Sequence, residues 1–148
     1  MDSHYEIVTK TAQETAEIGA QIAGDLKGGV RPHIFCLYGD LGSGKTTFTQ
    51  GFAKELGITS RLLSPTFIIV RRYDIPASEK FLYHVDLYRM KSMADMEELG
   101  LTEIFADPES IVVIEWAETL GDLLPKERTD IKFETLEDGR HRISIKQR

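Results

Sequence analysis

The sequence predicts an α/β sandwich on a mixed, largely parallel central sheet that carries antiparallel hairpins. Three observations predict it. The chain opens in the order strand, helix, strand, glycine-rich loop, helix. Two runs, "HIFCLY" and "SIVVIEW", are almost continuously apolar, as strands buried on both faces must be. Two later pairs of strand-like runs are joined by short polar segments, which is the pattern of hairpins.

Each element follows from its residues. "HYEIV" reads as a short first strand. Thr11 opens a helix with Glu14 three residues on, a capping box in which each side chain serves the other's backbone N–H. That helix should bury Thr15, Ile18, Gly19, Ile22 and Leu26 and stop at Gly28-Gly29. A second helix runs from Lys45 to about Leu56, with Phe48, Phe52 and Leu56 on one face and Gly57 as its stop. "TFIIVRRYD" and "FLYHVDLYR", joined by "IPASEK", form one hairpin. "MADMEELGLTEIFAD" reads as one or two short acidic helices broken at Gly100. "TDIKFETL" and "RHRISIK", joined at Glu137-Asp138-Gly139, form a second hairpin with clear alternation. With no repeat, linker or low-complexity tract, residues 1–148 read as a single domain.

Composition narrows the partners. The 41% apolar and 28% charged content is that of a soluble globular chain, and no run approaches the roughly 18 apolar residues of a membrane span. The start, "MDSHYEIVTK", lacks the basic and apolar regions of a signal peptide. Cys36, the lone cysteine, sits in an apolar run as an inert buried thiol. The chain therefore reads as cytoplasmic. Net charge is −6, and the segment from Ser92 to Pro125 holds nine acids and no Lys or Arg. Such a surface repels phosphate backbones, so autonomous nucleic-acid binding is not expected. It is either a solvated acidic face or a docking surface for a basic partner.

The chemistry is announced between Gly39 and Thr46, where G-x-x-x-x-G-K-T occurs once, after a strand and before a helix. Gly39, Gly42 and Gly44 let the backbone approach an anion without a Cβ in the way. The loop N–H groups and the helix N-terminus then face the phosphates. Leu41, Gly42, Ser43, Gly44, Lys45, Thr46 and Thr47 form the nucleotide-binding stretch. Lys45 is expected to bridge the β- and γ-phosphates, and the Thr46 hydroxyl to complete a magnesium shell. A carboxylate partner for Mg²⁺ should close a buried strand. Glu115, ending "IVVIE", fits better than Asp86, ending "FLYHVD", although both are candidates. The whole reads as a P-loop NTPase-type sandwich.

The loop is silent about the reaction. A GTPase of the Ras type needs N-K-x-D to read guanine, and the chain has no asparagine. A small-molecule kinase usually needs a mobile lid bearing several arginines. Here Arg71-Arg72 fall on a strand and Arg89 follows one. A kinase and a nucleotide-dependent scaffold stay open beside ATP hydrolysis on behalf of a partner.

"GDLGSGKTTFTQG", "SPTF" (Ser64 to Phe67), "HVDLYR" (His84 to Arg89) and "IEWAE" (Ile114 to Glu118) occur in that order. Together they resemble the bacterial TsaE (YjeE) family of ATPases, which act in threonylcarbamoyladenosine modification of tRNA. The phosphate loop alone is generic, whereas the combination is specific, and it spans the chain from about Thr11 to the last hairpin. Ser43 stands where alanine is commoner.

The resemblance implies a small ATPase whose hydrolysis supports a separate TsaB–TsaD transferase complex, with TsaC upstream and tRNA met only indirectly. With no arginine finger evident, Mg-dependent hydrolysis by the chain alone is expected to be slow. ATP and Mg²⁺ are the implied cofactors. By analogy with P-loop switches, Thr66 in "SPTF" becomes the hydroxyl that responds to the γ-phosphate, with Pro65 restricting the backbone before it. Asp86 joins the magnesium site or positions water, and His84, Tyr88 and Arg89 shape that corner. Arg89 either meets γ-phosphate charge or pairs structurally with an acid. Trp116 is either an ordinary rim aromatic or, by resemblance, a neighbour of the nucleotide or the partner. Thr11 approaches the adenine by resemblance only, since capping already accounts for it. The catalytic set expected is Lys45, Thr66, Asp86 and Glu115, with Thr46, Glu115 and Asp86 at the metal.

Overall fold

A computed structural model describes residues 3–26, 33–40, 42–59, 70–88 and 99–148. Among these the chain runs β1 (Ser3–Thr9), α1 (Ala12–Gly24), β2 (His33–Tyr38), α2 (Lys45–Glu55), β3 (Val70–Asp74), β4 (Phe81–Asp86), α3 (Leu101–Ala106) and β5 (Ser110–Glu115). A 3₁₀ segment (Ala117–Leu123), β6 (Thr129–Thr135) and β7 (His141–Gln147) complete it. The strands form one sheet in the order β1-β7-β6-β2-β5-β4-β3. Its centre, β6-β2-β5-β4, is parallel. The pairings toward both edges, β1 with β7, β7 with β6 and β4 with β3, are antiparallel. This is the mixed α/β sandwich with hairpins that the sequence predicts.

Side-chain parity builds two cores. Phe35, Leu37, Leu82, Ile111 and Val113 face one side, where Phe48, Phe52 and Ala53 of α2 and Ala23 of α1 close over them. Ile34, Cys36, Val85, Val112 and Ile114 face the other, covered by Leu101, Ala117 and Leu120. β5 is buried along its whole length, which explains its uninterrupted apolar run. The β6–β7 hairpin buries only one face, so Ile131, Phe133, Ile143 and Ile145 alternate with polar residues.

Some local expectations change. Thr11 caps α1, accepting from the Glu14 N–H at 3.1 Å. Glu14, however, reaches back to the backbone N–H of Lys10, one residue before the cap, rather than to Thr11 itself. α1 ends at Gly24, not at Gly28-Gly29, because the Asp25 N–H folds back onto Gln21 and Ile22 in a tight last turn. Gly28-Gly29 lie outside the described residues. Ile18, Ile22 and Leu26 pack against the core only in part, while Ala23 is buried. Ala117–Leu123 forms 3₁₀ turns that the sequence did not announce. Of the acidic segment before β5, α3 is capped by Gly100, whose left-handed backbone (φ 72°) marks the break. Among the described residues no helix is long and apolar enough to cross a membrane.

Candidate nucleotide site

Three chain segments converge at the carboxyl edge of the parallel strands. β2 ends at Tyr38 and runs into the glycine-rich loop, β4 ends at Asp86, and β5 ends at Glu115. Register sets Leu37 and Asp86 on either side of Glu115. Because β4 and β5 are parallel, His84, Asp86 and Glu115 share the sheet face on which α2 lies. Ligand sites in open α/β sheets form at this edge.

The loop is built around its glycines. Gly39 and Gly44 hold backbone angles (φ 147° and 108°) that favour glycine, and a Cβ on Gly39 would lie 2.6 Å from the Phe133 carbonyl. Gly44 leads directly into α2, so the N-terminal amides of an 11-residue helix face the cleft. Lys45 is 5% exposed, its Nζ donating to the Gly39 carbonyl at 2.6 Å and lying 4.5 Å from the centre of the Trp116 ring. Trp116 has left-handed backbone (φ 59°) and caps the 3₁₀ segment. That turn takes the indole out of strand direction and over the lysine. Exposed Tyr88 packs on Trp116, ring centres 4.9 Å apart.

The acidic wall is paired with a histidine. His84 Nε2 donates to Glu115 Oε2 at 2.8 Å, with both residues buried. Asp86 Oδ1 accepts from the Tyr88 backbone N–H at 3.0 Å. Burial pushes the Asp86 carboxyl above its ordinary range; the Tyr88 N–H opposes this, and the Glu115 charge adds to it.

One cleft of about 280 Å³ collects these groups. Thr11, Gly42, Gly44, Lys45, Thr46, Thr47, Asp86, Glu115 and Trp116 all line it. Ser43 is buried in the loop and does not line it. Leu41, Thr66 with the rest of "SPTF", and Arg89 lie outside the described residues. The cleft also contains Lys10, Ala12, Thr15 and His141, which sequence reasoning did not place in a site. Lys10 and Ala12 flank Thr11, so adjacency was a usable signal. His141 carried none: it arrives because β1 pairs with β7 and sets Thr9 opposite it.

The chemistry fits a nucleoside triphosphate with a divalent cation. At one end stand a lysine, helix-terminal amides and the Thr46 hydroxyl, faced by two carboxylates. Thr46 and Glu115, with Asp86 beside them, are an oxygen set suited to Mg²⁺, which keeps several water and phosphate ligands of its own.

A family model described as "Threonylcarbamoyl adenosine biosynthesis protein TsaE" matches residues 9–143. A relative from Bacillus subtilis (strain 168), named tRNA threonylcarbamoyladenosine biosynthesis protein TsaE, is 40% identical over 137 residues, which is 93% of this chain and 82% of the relative. Proteins of the same name from Borreliella burgdorferi and Treponema pallidum are 45% and 34% identical, covering 72% and 93% of this chain and 77% and 97% of their own. The crystal structure of Bacillus subtilis YdiB superposes with a TM-score of 0.80 at 33% identity, covering 99% of this chain and 87% of that one.

Proposed function

The chain belongs to the TsaE family, and from that premise we propose that it is a Mg-dependent ATPase of the cytoplasm supporting threonylcarbamoyladenosine modification of tRNA. The observation that carries this reading is the meeting of Lys45 and Thr46 with Asp86 and Glu115 in one cleft. ATP lies with its phosphates along the loop amides, and Lys45 exchanges the Gly39 carbonyl for β- and γ-phosphate oxygens. Thr46 and Glu115 hold Mg²⁺, which when bound neutralises charge on the transferring phosphoryl group. Asp86 orients the attacking water. Trp116 and Tyr88 cover the phosphate end, while Thr11, Lys10 and His141 line the wall left for the nucleoside. Thr66 serves as the γ-phosphate-responsive hydroxyl.

Among the described residues that line the cleft there is no arginine to meet transition-state charge, and Arg89 lies outside them. Hydrolysis by the protein alone is therefore slow, and a TsaB–TsaD transferase complex, supplied by TsaC upstream, accelerates it. tRNA is met only through those partners, consistent with the acidic charge balance. The test measures phosphate release with and without the TsaB–TsaD complex, alongside tRNA modification over many turnovers. Stimulated release that Lys45→Ala and Glu115→Ala both abolish is the expected result. Equal rates with and without the complex would overturn partner activation. Full modification with a non-hydrolysable ATP analogue would replace the ATPase by a nucleotide-dependent scaffold, and a phosphorylated metabolite would replace it by a kinase.

A further inference from the structure

We propose that His84 is the positioning residue for Glu115, fixing the carboxylate in the orientation that receives the divalent cation; the inference rests on the nucleotide reading above. His84 is 3% exposed, yet among the described residues its imidazole makes one hydrogen bond, Nε2 to Glu115 Oε2 at 2.8 Å. Its Nδ1 is buried and has no hydrogen-bond partner among the described residues. A carboxylate can only accept, so Nε2 carries the hydrogen and Nδ1 is left as a bare lone pair. As packing alone this is a poor arrangement, since a phenyl or isobutyl group would fill the space without burying an unsatisfied acceptor. What the imidazole supplies that they cannot is the N–H directed at Glu115.

The geometry makes that direction exact enough to matter. His84 stands two residues before Asp86 on β4, so the two side chains share a sheet face, and Asp86 is in register with Glu115 on β5. The ring therefore reaches Glu115 diagonally from behind, on the strand side, and occupies Oε2. Oε1 is left for the cleft that Glu115 lines. Glu115 ends its strand, and among the described residues no other hydrogen bond fixes its carboxylate. Outer partners of this kind hold metal-binding carboxylates in place, and their loss weakens metal binding about 10- to 100-fold.

The experiment is a magnesium titration of nucleotide binding, with the full chain and a fluorescent ATP analogue labelled on the ribose. His84→Phe keeps a ring and removes the N–H. Its magnesium midpoint should rise about tenfold or more, while its affinity for the analogue without metal stays that of the wild type. His84→Gln, whose amide nitrogen reaches as far as Nε2, should recover the midpoint; His84→Asn, one atom shorter, should not. If the phenylalanine protein does not fold, the glutamine and asparagine pair decides alone. A wild-type magnesium response that His84→Phe or His84→Asn retains overturns this inference and leaves the nucleotide reading intact. Weakening of metal-free binding in equal measure makes His84 merely structural and also overturns it. A wild-type protein whose affinity ignores magnesium overturns the metal assignment itself, and this inference with it.

Discussion

Ser43 is 2% exposed, and its hydroxyl finds no hydrogen-bond partner among the described residues. The side chain is buried beside Gly39 and does not line the cleft, so only its backbone serves the loop. A buried unsatisfied hydroxyl costs about 1–3 kcal/mol. Ser43→Ala should therefore raise the unfolding free energy, by about 1 kcal/mol in urea denaturation; a fall would mean that the hydroxyl has a partner after all. Cys36 gives a second residue-scale expectation. Burial pushes its thiol up to about 12, so almost no thiolate exists at pH 8. The native protein should resist a disulfide reagent at that pH and react once unfolded in guanidinium. Rapid labelling of the folded form would contradict the burial of β2. This inertness was legible in "HIFCLY" itself, whereas the orphaned Ser43 hydroxyl was not, because sequence gives the loop motif but not which way each side chain points.

At the scale of elements, the crossing of α1 over α2 depends on two glycines. A Cβ on Gly51 would lie 2.0 Å from the Ala16 carbonyl oxygen, and one on Gly19 would lie 2.2 Å from that of Phe48. Each helix offers a bare backbone where the other's carbonyl passes, so the helices approach more closely than side chains would permit. The Gly51→Ala substitution gains helix propensity in the unstrained case, but here the steric conflict is with backbone that cannot swing aside. It should cost about 1–3 kcal/mol or more, as overpacking does, measured as a lowered denaturation midpoint. Unchanged stability would show that the two helices can separate freely. The periodicity of α1 flagged Gly19 as core-facing, and Phe48 and Phe52 marked the buried stripe of α2. The length of α1 was overestimated, because Gly28-Gly29 is a stronger stop in sequence than the fold-back at Asp25. The 3₁₀ segment after β5 was missed because its start depends on Trp116 adopting a left-handed backbone, which side-chain pattern does not signal.

For the whole molecule, the strand ends are what sequence could read and the strand order is what it could not. The loop motif and the two acids closing apolar runs named Lys45, Thr46, Asp86 and Glu115, and the fold brings them to one cleft. His141 joins it only through the β1–β7 pairing, a contact between opposite ends of the chain. The cleft consequently draws on the turn after β1, on α1, the phosphate loop, α2, β4, β5 and β7, so a ligand seated there binds the assembled fold and not the unfolded chain. A non-hydrolysable ATP analogue at about 100 times its Kd should then stabilise the protein by about 2.7 kcal/mol. For a chain of this size that corresponds to a rise in Tm of about 5–10 °C. Removing Mg²⁺ with EDTA should shrink the rise, because Thr46 and Glu115 then lose their share of the interaction. Lys45→Ala should lose most of it, since among the described residues around Thr46, Asp86 and Glu115 the loop lysine is the cation set to meet the phosphates. A full thermal shift retained by Lys45→Ala would place the nucleotide elsewhere on the molecule, and a shift indifferent to EDTA would remove the metal from the site.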